Sequence, residues 1–271
     1  MPNIKKAKTI CVTSTKGGVG KTVITLNLAA TYQLLGKKVL ILDLDLYGGG
    51  IALSLNLKNN KTVYNVVDDM MNNRFTHISD YITSYNDYID VICAPKDPRQ
   101  AMKIDAKYID LMLYNVENKY DVILIDTTHI LTEVNLTIMD RCYNNLFVIT
   151  NDPIDLKNTK SIISIFNDNE INNYKVLYNN SRDTGREYFS VYDIKTIIKA
   201  NIDYTISQNF YIKEIDNYTI DGKILLLDAK IQRTKRKDFN NYRNMAIDLI
   251  KEEEKKVKRN EKENINWSLW Y

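Results

Sequence analysis

The sequence predicts a doubly wound α/β protein, with a mainly parallel sheet and helices on both faces. Three observations lead to it. Short runs rich in valine and isoleucine alternate with longer stretches of helical periodicity. The runs are continuously apolar, as expected of strands covered on both faces. Two clusters, Gly17–Gly18–Gly20 and Gly48–Gly49–Gly50, hold six of only nine glycines. Each comes shortly after a predicted strand, where the backbone must turn sharply or approach a ligand closely.

In order, the first strand falls at Thr9–Thr13 and the first helix at Thr22–Leu35, with a glycine loop between them. The apolar runs Val39–Asp43 and Tyr88–Cys93 are the next strands, and Val63–Met71 between them has helical spacing. The helix Ala106–Val116 precedes the strand Val122–Asp126, and the helix Thr132–Asp140 precedes the strand Leu146–Thr150. Leu156–Asn167 and Val191–Ala200 are helices flanking the strand Tyr174–Tyr178, and Ile202–Ile206 is a last, short strand. No linker, repeat or Pro/Gly/Ser-rich boundary interrupts this before about residue 230, so residues 1–250 are expected to form one domain. Ile224–Leu227 and Met245–Ile250 have the look of packed helix faces. The tail 251–271 is separate: Lys251–Glu263 is almost all charged, and Ile265–Tyr271 turns apolar and holds both tryptophans.

Composition excludes several classes. At 271 residues, 44% apolar and 26% charged, the chain is an ordinary globular protein. It lacks the roughly 18–20 uninterrupted apolar residues of a membrane span. The apolar piece around Ile10–Val12 is too short for a signal peptide, so a cytoplasmic location is expected. Three widely spaced cysteines exclude a disulfide framework and a four-thiolate zinc site, and two histidines leave little for a histidine metal centre. Net charge is +3, with 16 basic and 15 acidic residues in 1–150 against 21 and 19 in the rest. A whole-surface nucleic-acid binder is not indicated.

Residues 14–22 read STKGGVGKT, directly between the first strand and the first helix. Glycine-freed backbone N–H groups over Gly17, Gly18, Val19, Gly20, Lys21, Thr22 and Val23, with the helix N-terminus, make a site for phosphate oxygens. Lys21 would place its ammonium between the β- and γ-phosphates, and the Thr22 hydroxyl would ligate Mg2+. The ordinary loop pattern has glycine where this chain has Thr15, and a dinucleotide fingerprint starting at Gly18 would need glycine where it has Val23. The NAD reading falls. Asp43 and Asp45 in LDLDLYGGG lie on one side of an extended strand end, and Asp126 ends the apolar run VILID.

With lysine at both Lys16 and Lys21, the loop resembles the deviant Walker A form of the ParA/MinD family of P-loop ATPases, and the pattern fits over roughly residues 5–250. The resemblance implies ATP and Mg2+ as cofactors, slow hydrolysis to ADP and phosphate, and an ATP-dependent homodimer. In it Lys16 crosses to the partner's phosphates and joins Lys21 and Asp45 as catalytic residues. Asp45 would orient the attacking water, Asp43 would support the Mg2+ shell, and Asp126 would hold the metal through water. Asn179 in KVLYNN matches an asparagine that bonds the adenine edge. The family's frequent arginine is here Asn180, and ISQNF at 206–210 replaces its proline-containing base loop. From residues alone, Asp43, Asp45 and Asn179 also read as strand-end turn residues.

The stretches DLDLYGGGIALSLNL, YIDVICAPKDP and KYDVILIDT further resemble the CpaE/TadZ pilus-assembly branch. That implies a positioning factor for a type IV (Tad) pilus or secretion apparatus, with a protein partner there and recruitment to a membrane or cell pole. Gly48 and Gly50 depart from the branch pattern, and the trio Gly48–Gly50 is expected to let a switch loop rearrange between nucleotide states. The alternatives are a ParA-like partitioning ATPase on DNA and a localisation module that binds ATP without hydrolysing it. Lys230, Arg233, Lys235, Arg236 and Lys237 suit a phosphate backbone or anionic lipid, or are a solvated helix face. Trp267, Leu269, Trp270 and Tyr271 would dock on a membrane interface, on a partner or back on the domain. Cys11 and Cys93 fall inside strands as core residues, against an iron-cluster role.

Overall fold

The strand that feeds the glycine loop, β1 (Lys8–Thr13), is an interior strand of an eight-stranded sheet. The others are β2 (Val39–Leu44), β3 (Thr83–Ser84), β4 (Ile89–Ile92), β5 (Val122–Thr127), β6 (Asn144–Ile149), β7 (Tyr174–Asn179) and β8 (Tyr204–Ile206). Their order is β3-β4-β2-β5-β1-β6-β7-β8. Every pairing is parallel except β3 with β4. The computed structural model describes residues 6–59, 61–182, 188–210 and 215–252. The tail segment Ile265–Tyr271, and residues 253–264 before it, lie outside the described residues.

The helices are α1 (Lys21–Leu34), α2 (Gly50–Ser54), α3 (Val63–Met71), α4 (Ala106–Val116) and α5 (Glu133–Arg141), then α6 (Pro153–Asp168), α7 (Val191–Ile198), α8 (Ile215–Ile220), α9 (Ala229–Thr234) and α10 (Arg236–Leu249). Successive strand residues feed opposite cores. Ile10, Val12, Val39, Ile41, Val122 and Leu124 pack with α1 and α10, through Leu28, Tyr32, Tyr242 and Met245. Cys11, Leu40, Leu42, Ile123 and Ile125 pack with α3, α4 and α5, through Val66, Ile109, Met112 and Ile138. A sheet covered on both sides has no water-facing row, and for that reason its strands read as unbroken apolar runs. No helix among the described residues is long and apolar enough to cross a membrane.

Several elements depart from the expectations, and α8 and α9 were not among the predicted elements. The hairpin strand β3 has two residues and so no periodicity to read. Gly50, expected within a mobile loop, is the first residue of α2. α6 starts at Pro153, three residues before the predicted Leu156: Asp152 caps it, accepting the N–H groups of Ile154 and Asp155, and proline is at home in a first turn.

Candidate phosphate-binding site

In a parallel sheet the C-terminal strand ends share one edge, and a ligand crevice opens where connections leave a strand for opposite sides. β1 lies between β5 and β6, and the loops after β1, β2, β5 and β6 meet at that edge. Gly18 (φ 76°) and Gly20 (φ 98°) take the left-handed conformation that glycine adopts without strain, and a Cβ on Gly18 would meet nothing within 4 Å. Gly20 has no side chain with which to cap α1, so it leaves the first N–H groups of the helix uncapped, as an anion site at a helix N-terminus requires.

Lys21 is buried, and its ammonium donates to the Ser14 hydroxyl at 3.0 Å. Burial pushes it below the usual lysine range, against the pull of Asp126, Asp45 and Asp155. Thr22 Oγ1 donates to Asp126 Oδ2 at 2.7 Å, and Thr25 Oγ1 reaches Asp126 Oδ1 at 3.4 Å. Asp43 stands in register with Asp126 across β2 and β5, and both are fully buried. Burial pushes Asp126 up to about 6, while the Thr22 hydroxyl and Lys21 hold it down. Burial and then Asp126 push Asp43 well above the carboxylate range. The Asp43 oxygens accept the N–H groups of Asp45 (3.1 Å) and Ile51 (3.2 Å), so this side chain ties down both ends of the loop that carries Asp45.

The loop is wound tightly around Asp45. Its carbonyl accepts the N–H of Gly48 (3.2 Å) and of Gly49 (2.7 Å). A Cβ on Gly48 would come within 2.8 Å of Asp45 Oδ2, and one on Gly50 within 3.3 Å of Thr22 Cγ2. A side chain at Gly48 would therefore press on the Asp45 carboxylate, a close approach that stands beside the loop rearrangement expected from the sequence.

The two lysines differ in setting. Lys16 is partly exposed, and its ammonium pairs with Asp152 Oδ2 at 2.6 Å. That hydrogen bond holds the Asp152 carboxyl below its ordinary range. Thr15 faces inward, with Oγ1 2.9 Å from Asp155 Oδ1 and 3.1 Å from Thr159 Oγ1 on α6. Asn179 at the end of β7 meets the loop: Nδ2 donates to the buried Val19's carbonyl at 2.8 Å, and Oδ1 accepts the Ser181 hydroxyl at 2.7 Å. Val23 is half-buried against the α1 core.

The donor set fits Mg2+: hydroxyl and carboxylate oxygens at the mouth of a backbone cradle, with no soft ligand among them. Among the described residues no three His, Cys, Asp or Glu side chains form a metal cluster. Thr22 and Asp126 are the residues that would hold such an ion, which would neutralise charge on phosphate oxygens. Asp152, Asp155 and Thr15 were not read as site residues. The Asp152–Pro153 pair, a helix-start signal just after a strand, was the one clue available.

A family model described as ParA, NUBPL iron-transfer P-loop NTPase matches residues 5–196. A MinD-type septum site-determining protein of Emiliania huxleyi is 24% identical over 229 residues, which are 83% of this chain and 82% of that one. A ParA family ATPase from Chlorobium tepidum TLS has a similar structure (TM-score 0.74, 17% identity), over 90% of this chain and 99% of that one. So does septum site-determining protein MinD from Pyrococcus horikoshii OT3, solved with Mg-ADP (TM-score 0.73, 20% identity), over 90% and 96%.

Proposed function

Because the chain belongs to the ParA/MinD family of P-loop NTPases, we propose that it is an Mg2+–ATP-dependent switch that dimerises with ATP bound, hydrolyses it slowly and positions a larger assembly. One observation carries this reading: Thr22 Oγ1 sits 2.7 Å from Asp126 beneath a cradle of free helix N–H groups. In the reaction, Lys21 draws charge from the terminal phosphates of its own nucleotide. Asp45 orients a water for in-line attack on the γ-phosphate, and Lys16 adds positive charge to the nucleotide of a second copy. The contrast between a buried Lys21 and a partly exposed Lys16 supports that division of labour.

Steady-state turnover of wild type against Asp45→Ala tests the enzyme claim. At least a tenfold loss is expected; equal rates leave a module that binds ATP without hydrolysing it. Lys16→Ala should keep nucleotide binding and lose ATP-induced association in sedimentation.

The CpaE/TadZ-like stretches around Asp45 support a pilus or secretion apparatus as the assembly positioned. A second reading, partitioning on DNA, is favoured by Lys230, Arg233, Arg236 and Lys237, which are exposed and form no ion pair among the described residues. Reversing these four charges should abolish salt-sensitive binding of random duplex DNA if that reading holds. Iron transfer, named in the family model's description, draws no support from the thiols, since Cys11, Cys93 and Cys142 are all buried.

A further inference from the structure

Away from the phosphate loop, two short helices close on each other at their C-terminal ends. α2 runs into Asn56 (φ 50°), whose N–H bonds to the Leu53 carbonyl (3.1 Å), and Leu57 N–H bonds to that of Ala52 (2.9 Å). α8 runs in the same way into Gly222 (φ 64°), with Gly222 N–H on the Thr219 carbonyl (3.1 Å) and Lys223 N–H on that of Tyr218 (2.8 Å). Each is the common helix ending, with one left-handed residue past the last turn. The two endings abut. A Cβ built on Gly222 would lie 2.8 Å from both Asn56 Cβ and the Leu55 carbonyl oxygen, and 3.0 Å from the Leu55 carbonyl carbon. No side-chain rotation moves any of those atoms aside.

α2 joins this contact to the site. It has five residues and rises about 7 Å. At its start Ile51 N–H bonds to Asp43 Oδ2 at 3.2 Å, and Gly50, where the Asp45 loop passes into the helix, lies against the Thr22 methyl group. At its far end Leu55 and Gly222 are both buried. The chain after α8 is fixed in turn: Leu226 N–H reaches Oδ1 of the buried Asn27 on α1 at 3.3 Å, and the Tyr218 hydroxyl donates to Asp228 Oδ2 at 2.7 Å. We infer that Gly222 is a positioning residue for Asp45: its missing side chain lets α8 close on the end of α2, and α2 so seated holds the loop Asp45–Gly50 against Thr22. The inference rests on the enzyme reading of the site. A methyl group at Gly222 must displace Leu55 and Asn56, and a short helix pinned at Asp43 passes that displacement to the Asp45 loop.

Gly36 supplies the control. It follows α1 in the same kind of turn, with φ 71°, its N–H on the Gln33 carbonyl and Lys37 N–H on that of Tyr32, yet a Cβ on it would meet nothing within 4 Å. Gly36→Ala and Gly222→Ala therefore carry the same left-handed strain and differ in the crowding. Steady-state kinetics and amide hydrogen exchange by mass spectrometry are measured on wild type, both variants and Asp45→Ala. Gly222→Ala should lower kcat about tenfold, keep Mg-ADP affinity within about twofold, and speed exchange of the amides from Asp45 to Ser54 about fivefold or more. Gly36→Ala should match wild type in all three. Retained Mg-ADP affinity is also the check on folding. Should Gly222→Ala fail it, the double variant Asn56→Gly/Gly222→Ala, which frees one of the close contacts, takes its place. Equal behaviour of the two alanine variants overturns the assignment, and so does faster exchange with wild-type kcat. If wild type turns ATP over no faster than Asp45→Ala, the enzyme reading falls and takes the inference with it.

Discussion

Asp126 has no exposed surface, and burial leaves its carboxyl at about 6. An aspartate whose pKa is higher folded than unfolded binds more protons in the native state. Stability therefore falls as pH rises from about 4 to about 6, and above that the penalty is complete, on the order of 3 kcal/mol. Asp126→Asn removes the titration. Without nucleotide, its thermal midpoint should exceed that of wild type by clearly more at pH 7 than at pH 4, as scanning calorimetry across that range would show. A constant difference would mean that burial does not penalise the charged carboxylate. The same charge that weakens the free protein is what a divalent ion and the Thr22 hydroxyl would use. Lys21 is a parallel case, a buried ammonium held ready beside acidic side chains. Both residues were readable as site candidates, since a strand-end aspartate and a GKT triplet are local patterns. The pairing of Asp43 with Asp126 was not, because strand register is a long-range property.

The loop from Asp45 to Gly50 is wound closely around the Asp45 side chain. Gly48→Ala would push a methyl group into Asp45 Oδ2. In the turn between β2 and α2 the backbone can absorb that with less than about 1 kcal/mol of lost stability, but the carboxylate must move. Turnover is therefore expected to fall at least tenfold while urea denaturation barely changes. Gly50→Ala presses on Thr22 Cγ2 at 3.3 Å and should be the milder variant. A Gly48→Ala protein with wild-type turnover would detach Asp45 from catalysis or the crowding from Asp45. The phosphate loop has its own restraint in Thr15, whose hydroxyl ties it to Asp155 and Thr159 on α6. The sequence marked Thr15 only as a missing glycine. Its partners lie about 140 residues away, and no local pattern announces them.

Across the whole molecule, α1 bridges the site and the distal core. Its N-terminus faces the phosphate loop, and near its other end the buried Tyr32 hydroxyl donates to the Ala246 carbonyl of α10 at 2.8 Å. Tyr32→Phe leaves that carbonyl without its donor and should cost about 1–2 kcal/mol in urea denaturation, with nucleotide affinity unchanged. A parallel loss of affinity would mean that α10 helps to set the position of the α1 N-terminus. Fold class, most of the strands and helices, and the glycine loop after β1 with its two lysines were legible along the chain. Each depends on neighbours within a few residues: apolar period, glycine torsion, the spacing of a lysine from a glycine. The meeting of Thr22 with Asp126, of Lys16 with Asp152 and of Asn179 with Val19 came from the fold alone. Those contacts exist because β1 runs between β5 and β6, which brings strand ends more than a hundred residues apart to one edge of the sheet. Strand order is decided by the packing of both apolar faces at once, and no single segment of the chain encodes it.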